Sequence, residues 1–290
     1  SDDQSVTDIT LSQDDGPPTA IPITPAPDVE FTAAVTLHRG WNKLTVRAHD
    51  AAANVHEQTI EIHLGVPIAG GGAHSLALID DVAHGFGRNN EGQLGLGDTA
   101  DRHTPVALAA PTQIVSLAAN LNHSLALDHD GIVHAWGRND EQQLGHGPGP
   151  DGLAPLAVPG LTDVVAISAG QRHSLALTAD GTVWTWGSNA EGQLGRAGEP
   201  GTAAPIPDLS DVVAIAGGGS YSLAATASGA VWAWGNNGDG QLGDNSTNDS
   251  SNPILIAEPG TIQLATGKAH SLALDADGLA LAWGLDAQGQ

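Results

Sequence analysis

Beyond residue 70 the apolar positions come in short runs separated by turns dense in Gly, Asn and Asp. One unit shows the pattern. Val164–Ser168 is apolar, Ala169-Gly170 interrupts it, Ser174–Thr178 resumes it, Ala179-Asp180-Gly181 reads as a tight turn, and Thr182–Trp186 follows. A fourth run lies near Ala204–Pro207, after a long Gly-rich loop. Runs this short with period-2 character predict strands, and Gly, at 38 residues, is too frequent for helices. The unit is written five times. Its openings are His74, His123, His173, Tyr221 and His270, at steps of 49, 50, 48 and 49 residues. Each opening leads to an aromatic-Gly pair: Phe86-Gly87, Trp136-Gly137, Trp186-Gly187, Trp234-Gly235 and Trp283-Gly284. Gly-Gln-Leu-Gly elements follow at 92–95, 142–145 (with Gln142 for the first Gly), 192–195 and 240–243, and the fifth copy stops at Gly289-Gln290. Four strands in a unit of this length predict propeller blades. Leu175 and Leu177 fall on one side of their strand and Ser174 and Ala176 on the other, and neighbouring blades are expected to cover both.

Residues 1–64 differ. Ser1 to Asp28 is rich in Asp, Thr and Pro. Alternation begins at Phe31, Ala33, Val35 and Leu37, turns at His38-Arg39-Gly40, and continues through Leu44, Val46 and Ala48. After Asp50 to Asn54 comes Thr59 to Leu64, with Ile60 and Ile62 on one face. This predicts antiparallel strands with one buried face. Residues 65–69 read as a linker, and 70–290 as the repeats.

The chain begins at Ser1, contains no Met and stops inside a repeat, which leads to the expectation of an internal piece of a longer protein. It has no Cys, so disulfides, zinc-thiolate sites and thiol nucleophiles are excluded. No apolar run is long enough to span a membrane as a helix. A formal charge of −24, from 33 acidic and 9 basic residues, would be repelled by phosphate backbones and anionic lipids, so neither nucleic acid nor a membrane is expected as partner.

The combination Ala-Gly-x-x-His-Ser-Leu-Ala-Leu then Trp-Gly-x-Asn-x-x-Gly-Gln-Leu-Gly, complete in residues 169–195, resembles the regulator of chromosome condensation repeat. That resemblance implies a seven-bladed β-propeller, of which this chain holds four full repeats and part of a fifth. The stretch with Phe31, Leu37, Gly40, Asn42, Leu44, Val46, Ala48, Asp50 and Asn54 resembles the second half of a bacterial immunoglobulin-like domain, with Ala53 where that family usually has Gly. Such domains serve as spacers in secreted or surface proteins. The expected fold is therefore all-β: a partial, open propeller of about four and a half blades after a truncated immunoglobulin-like β-sandwich segment.

For chemistry, His74, His123, His173 and His270 would lie one per blade. That spacing is too wide for one ion, whose ligands sit about 2 Å away. Tyr221 also breaks the ring, so they are expected to be structural histidines bonded to backbone. Asp128-His129-Asp130-Gly131 and Asp275-Ala276-Asp277-Gly278 resemble the start of a calcium loop, but Asn139 and Asp286 stand where such a loop needs Glu, and hairpin turns explain both. Asp244 to Ser251 is an exposed polar loop with glycosylation patterns at Asn245 and Asn248. Ser next to His in a strand points to the opposite face, so no nucleophile–base pair arises within a strand. No catalytic set, cofactor or metal is expected. The candidate binding residues are those that vary between Gly and His on a constant frame: Ala73, Asn122, Gln171, Arg172, Ser220 and Lys268. The favoured function is a non-catalytic binding module for a protein or glycan, extracellular or on a bacterial cell surface. The resemblance also implies two alternatives. One is a guanine-nucleotide exchange factor for a small GTPase. The other is a β-lactamase inhibitor, although the variable pairs hold no aromatic anchor.

Overall fold

The computed structural model describes residues 6–13, 16–24, 40–50, 52, 54–64, 67–79, 82–257 and 260–287. They form two compact units, Ser1–Val66 and Pro67–Gln290, and every regular element among the described residues is a strand.

The described residues of the first unit form one antiparallel sheet. Its strands are β1 (Val6–Gln13), β2 (Thr19–Ile21), β3 (Gly40–Asp50) and β4 (Val55–Leu64), in the order β2-β1-β3-β4. The alternation of Leu44, Val46 and Ala48 places β3 as expected, and β4 pairs with it from Gly40↔Leu64 to His49↔Val55. The turn is closed by Asp50, whose Oδ1 accepts from the Ala52 and Asn54 amides at 2.9 and 2.8 Å. The sequence reading placed no strand before residue 28, yet β1 pairs with β3 through Ile9↔Ala48 and Leu11↔Val46. The strand expected over Phe31–Leu37 lies outside the described residues. One sheet is described in this unit, and the second sheet of a sandwich is not among the described residues.

The described residues of the second unit form five sheets, each a meander. The first holds β5 (Ile68–Gly70), β6 (His74–Ile79), β7 (Val82–Gly87) and β8 (Arg102–Ala107). The second holds β9 (Ile114–Asn120), β10 (His123–Asp128), β11 (Val133–Gly137) and β12 (Gly152–Ala157). The third holds β13 (Val164–Ala169), β14 (His173–Thr178), β15 (Val183–Gly187) and β16 (Ala204–Pro205). The fourth holds β17 (Val212–Gly217), β18 (Tyr221–Thr226), β19 (Val231–Gly235) and β20 (Ser250–Ala257). The fifth has three strands, β21 (Thr261–Thr266), β22 (His270–Asp275) and β23 (Ala280–Gly284). The linker expected over 65–69 is shorter than read, because Ile68 and Ala69 pair with Ala77 and Leu76 as the inner strand of the first blade.

The core lies between blades rather than within them. Leu175 and Leu177 pack forward against Ala224 and Trp234 of the next blade. Ala176 and Trp186 pack back against Leu125, Leu127 and Val133 of the preceding one. Every residue of β14 is therefore buried, which explains a strand with small or apolar residues on both faces. The last Gly of each Gly-Gln-Leu-Gly element lets the chain approach the following blade's indole. A Cβ on Gly195 would sit 2.8 Å from Trp234 Nε1, and on Gly243 2.7 Å from Trp283 Nε1.

Candidate binding surfaces

The residues that define the repeat are consumed by a bond network that crosses from blade to blade. His123 Nε2 lies 3.1 Å from Ser174 Oγ, and Ser174 Oγ donates to the Gln143 carbonyl at 2.9 Å. Trp186 Nε1 donates to that same carbonyl at 2.9 Å. The pattern repeats with His74, Ser124, Gln93 and Trp136, and with His173, Ser222, Gln193 and Trp234. Because the serine proton goes to the carbonyl, each histidine must donate from Nε2, which leaves Nδ1 unprotonated. His74, His123 and His173 are indeed buried with no partner at Nδ1. Burial lowers their pKa to about 4, about 3 and about 3. These rings bond a serine hydroxyl of the next blade, not backbone as expected from sequence. In the fourth blade Tyr221 donates its hydroxyl to the His270 carbonyl and accepts from Ser271 Oγ at 3.0 Å. The buried Gln side chains stay in their own loops, where Gln143 Oε1 accepts the Glu141 amide at 2.9 Å. Asn189 Oδ1 likewise accepts the Leu194 amide at 3.0 Å. The Asp128 turn is closed by its own carboxylate. Its Oδ1 accepts the Asp130 and Ile132 amides at 3.1 and 2.9 Å, and its Oδ2 pairs with His134 Nε2 at 2.9 Å.

The six candidate residues all lie at one edge of the blades, in the turns before His or Tyr. Gln171 and Lys268 line an axial cavity of about 520 Å³, together with Gly72 and Leu121 at the equivalent positions. Inner strands of neighbouring blades are tied to one another around this axis, for example by Ser168 Oγ accepting the Gly217 amide at 3.0 Å and Thr266 Oγ1 donating to the Gly217 carbonyl at 2.9 Å. The residue after each lining position is not part of the cavity wall. Ala73, Asn122, Arg172 and Ser220 instead offer carbonyls to the amides of Arg88, Arg138, Ser188 and Asn236 at 2.8 to 3.0 Å. Arg172 is exposed and reaches Glu141 of the preceding blade, Nη1 to Oε1 3.1 Å. Sequence reasoning missed Leu121 and Glu141. Leu121 stands at the same offset from His as Gln171, so the repeat alignment alone could have found it.

Acidic residues stand on both edges, but the basic ones stand on one. All six Lys and Arg of this unit (Arg88, Arg102, Arg138, Arg172, Arg196 and Lys268) stand on the His-turn edge or in the loops that join it. Arg196 is buried there, where its guanidinium donates to the carbonyls of Thr185 and Thr202 at 2.8 and 2.9 Å.

With this geometry in view, comparison with known proteins is decisive for the family. One profile of the regulator of chromosome condensation (RCC1) repeat matches residues 80–127, 130–177, 180–225 and 228–274, and a second matches 114–143, 164–193, 212–241 and 262–290. The chain belongs to the RCC1 repeat family. The first RCC1 profile runs from the outer half of one blade to the inner half of the next. Among curated relatives, the probable E3 ubiquitin-protein ligase HERC4 of Mus musculus is 38% identical over 88 residues, 28% of this chain and 8% of that protein. The ultraviolet-B receptor UVR8 of Arabidopsis thaliana is 38% identical over 87 residues, 29% of this chain and 19% of that protein. The matched stretches are thus small parts of these relatives. Among solved structures, Prp20p of Saccharomyces cerevisiae is 26% identical with a TM-score of 0.66, covering 83% of this chain and 69% of that one. Human WBSCR16 has a TM-score of 0.66 at 23% identity, covering 81% and 69%. The chain is an RCC1-type β-propeller, a protein-interaction module.

Proposed function

We propose that this propeller is a non-catalytic binding module, presented outside a bacterial cell by an immunoglobulin-like spacer. One observation carries the reading. The recurrent side chains of the repeat are spent on the frame, with His, Ser and Trp joining blades and Gln and Asn closing loops, while the turns that differ between copies gather at one edge and send Gln171 and Lys268 to the axial cavity. A fixed frame with variable side chains at one rim is how propellers vary partners without changing fold. The spacer rests on β3 and β4, whose Leu44, Val46, Ala48 and Asp50–Asn54 turn carry the immunoglobulin-like pattern. The location rests on that pattern alone. The partner is a protein or glycan. Replacing Gln171, Arg172 and Lys268 by Ala should weaken a partner of this rim by about tenfold or more, as loss of central contacts does. Unchanged affinity in a binding titration would remove the site.

A second reading is regulation of a small GTPase by nucleotide exchange. It is favoured by the likeness to Prp20p, which is described as binding Gsp1p and histones. Accelerated nucleotide release from a candidate GTPase would establish it.

A further inference from the structure

We propose that the edge opposite the His turns docks a protein segment in which Arg or Lys side chains flank an aliphatic anchor. The proposal rests on the binding-module reading and names the surface and its partner's chemistry.

Three observations meet on this edge. The first is apolar exposure. Each inner strand of blades two to four starts with two β-branched residues: Ile114-Val115, Val164-Val165 and Val212-Val213. The first of each pair is buried between blades. The second is left in water, with Val115, Val165 and Val213 at 45%, 56% and 53% exposure. Period-2 alternation would allow a polar residue there at no cost to the core. Three blades instead leave Val in water at the same place, which is the anatomy of a covered surface.

The second is charge. The turns of this edge hold Asp128, Asp130, Asp163, Asp180, Asp208, Asp211, Asp275 and Asp277, and among the described residues no Lys or Arg. Asp163, Asp208 and Asp211 occupy left-handed backbone at φ 55°, 59° and 57°, where Gly or Asn would be at least as comfortable.

The third is shape. Two neighbouring blades each carry a recess that pairs an indole with two carboxylates. One, about 380 Å³, is lined by Trp184, Asp163 and Asp180. The other, about 390 Å³, is lined by Trp232, Asp208 and Asp211. An aromatic face beside carboxylates suits a guanidinium or ammonium group, by cation–π attraction and ion pairing together. Asp180 is kept ionised by the Thr178 hydroxyl, which donates to it at 2.7 Å. The Trp recesses would take the cations, and the valines on the axial side the aliphatic anchor. A second copy of this chain, a nucleic acid or an anionic lipid surface would bring negative charge to negative charge, so a cationic segment is the occupant that complements the edge.

The test uses the whole chain and a defined probe, the capped peptide Arg-Leu-Arg-Leu-Arg-Leu-Arg with a fluorescent label, followed by anisotropy. Asp163→Asn with Asp208→Asn keeps the left-handed backbone comfortable and should weaken binding about tenfold and flatten its salt dependence. Val165→Ser with Val213→Ser, and a probe with Ser for Leu, should each weaken it about fivefold. Glu191→Gln with Asp239→Asn removes the same charge from the other edge and should change affinity less than about twofold. Equal losses from both charge pairs would mean unspecific attraction to an acidic protein and would overturn the proposal. So would absence of binding up to about 1 mM. Binding that is lost on Arg172→Ala and Lys268→Ala instead would move the probe to the other rim. That outcome sinks this surface but leaves the binding-module reading standing.

Discussion

Acid should weaken this propeller through three buried histidines. His74, His123 and His173 are neutral in the folded chain, each donating from Nε2 to a serine of the next blade and carrying a bare, buried Nδ1. A proton on Nδ1 would create a buried charge and a donor with no acceptor, which is why their folded pKa values lie at about 4, about 3 and about 3. In the unfolded chain each titrates near 6.5. Above that value both states are neutral and the rings add no pH dependence. Below it the unfolded state takes up protons that the folded state refuses, so stability falls with pH down to the folded values. At pH 5.5 the cost is about 1.4 kcal/mol per ring, or about 4 kcal/mol for three, against a total stability of order 5–15 kcal/mol. The chain supplies its own control. Tyr221 fills the same place over Gly218, bonds the next blade, and has its pKa raised by burial to about 12, so it does not titrate in this range. In urea unfolding at pH 7.5 and 5.5, His173→Tyr should lose about one third less stability than the parent. Because acid also relieves self-repulsion in a chain of charge −24, the comparison between the two proteins carries the test, not the absolute slope. Identical losses in both would refute the latch argument.

Other expectations follow from the same geometry. Ser174→Ala leaves the His123 Nε2–H buried without an acceptor and should cost about 1–3 kcal/mol in urea unfolding. Gly170→Ala puts a Cβ 2.0 to 2.7 Å from ring atoms of His173, so the ring must shift. The cost should exceed about 1 kcal/mol, with a changed near-ultraviolet circular dichroism spectrum. Arg172→Ala removes only an exposed ion pair with Glu141 and should change stability by less than about 0.5 kcal/mol, so any loss of partner affinity belongs to the contact itself.

Blade positions were legible because the strand pattern is written in each strand's own residues: Leu-Ala-Leu and Trp-Gly mark β14 and β15, although the blades that cover them lie about 50 residues away. Three things were hidden for physical reasons. In β1, Ile9 and Leu11 alternate with Thr10 and Ser12, but Asp and Pro around them mask the period. In β5, three residues beside Gly look like a linker until β6 pairs with them. The His–Ser pair was dismissed because neighbours in a strand face apart. That is true of His173 and Ser174, yet each faces a partner about 50 residues away, and no local pattern shows a contact at that separation. The candidate site divides the same way. The repeat alignment located the turns, but only the inter-blade geometry showed that Gln171 and Lys268 reach the cavity while Arg172 and Ser220 do not. Val115, Val165 and Val213 stand inside apolar runs of the sequence, and only the fold shows them in water.

The claim that matters most is that this frame works by binding at its strand-end surfaces. The chain has no Cys, so a single introduced thiol can carry a photo-cross-linker at one chosen place. Three versions decide the matter: Ser220→Cys on the His-turn edge, Val213→Cys on the opposite edge, and Leu156→Cys on an outer strand, 60% exposed. Illuminated with the extracellular fraction of the source cells, an edge position should give a saturable adduct with one protein or glycan, competed away by unlabelled chain, and Leu156 should not. Adducts that do not depend on position, or that form best at Leu156, would contradict the account.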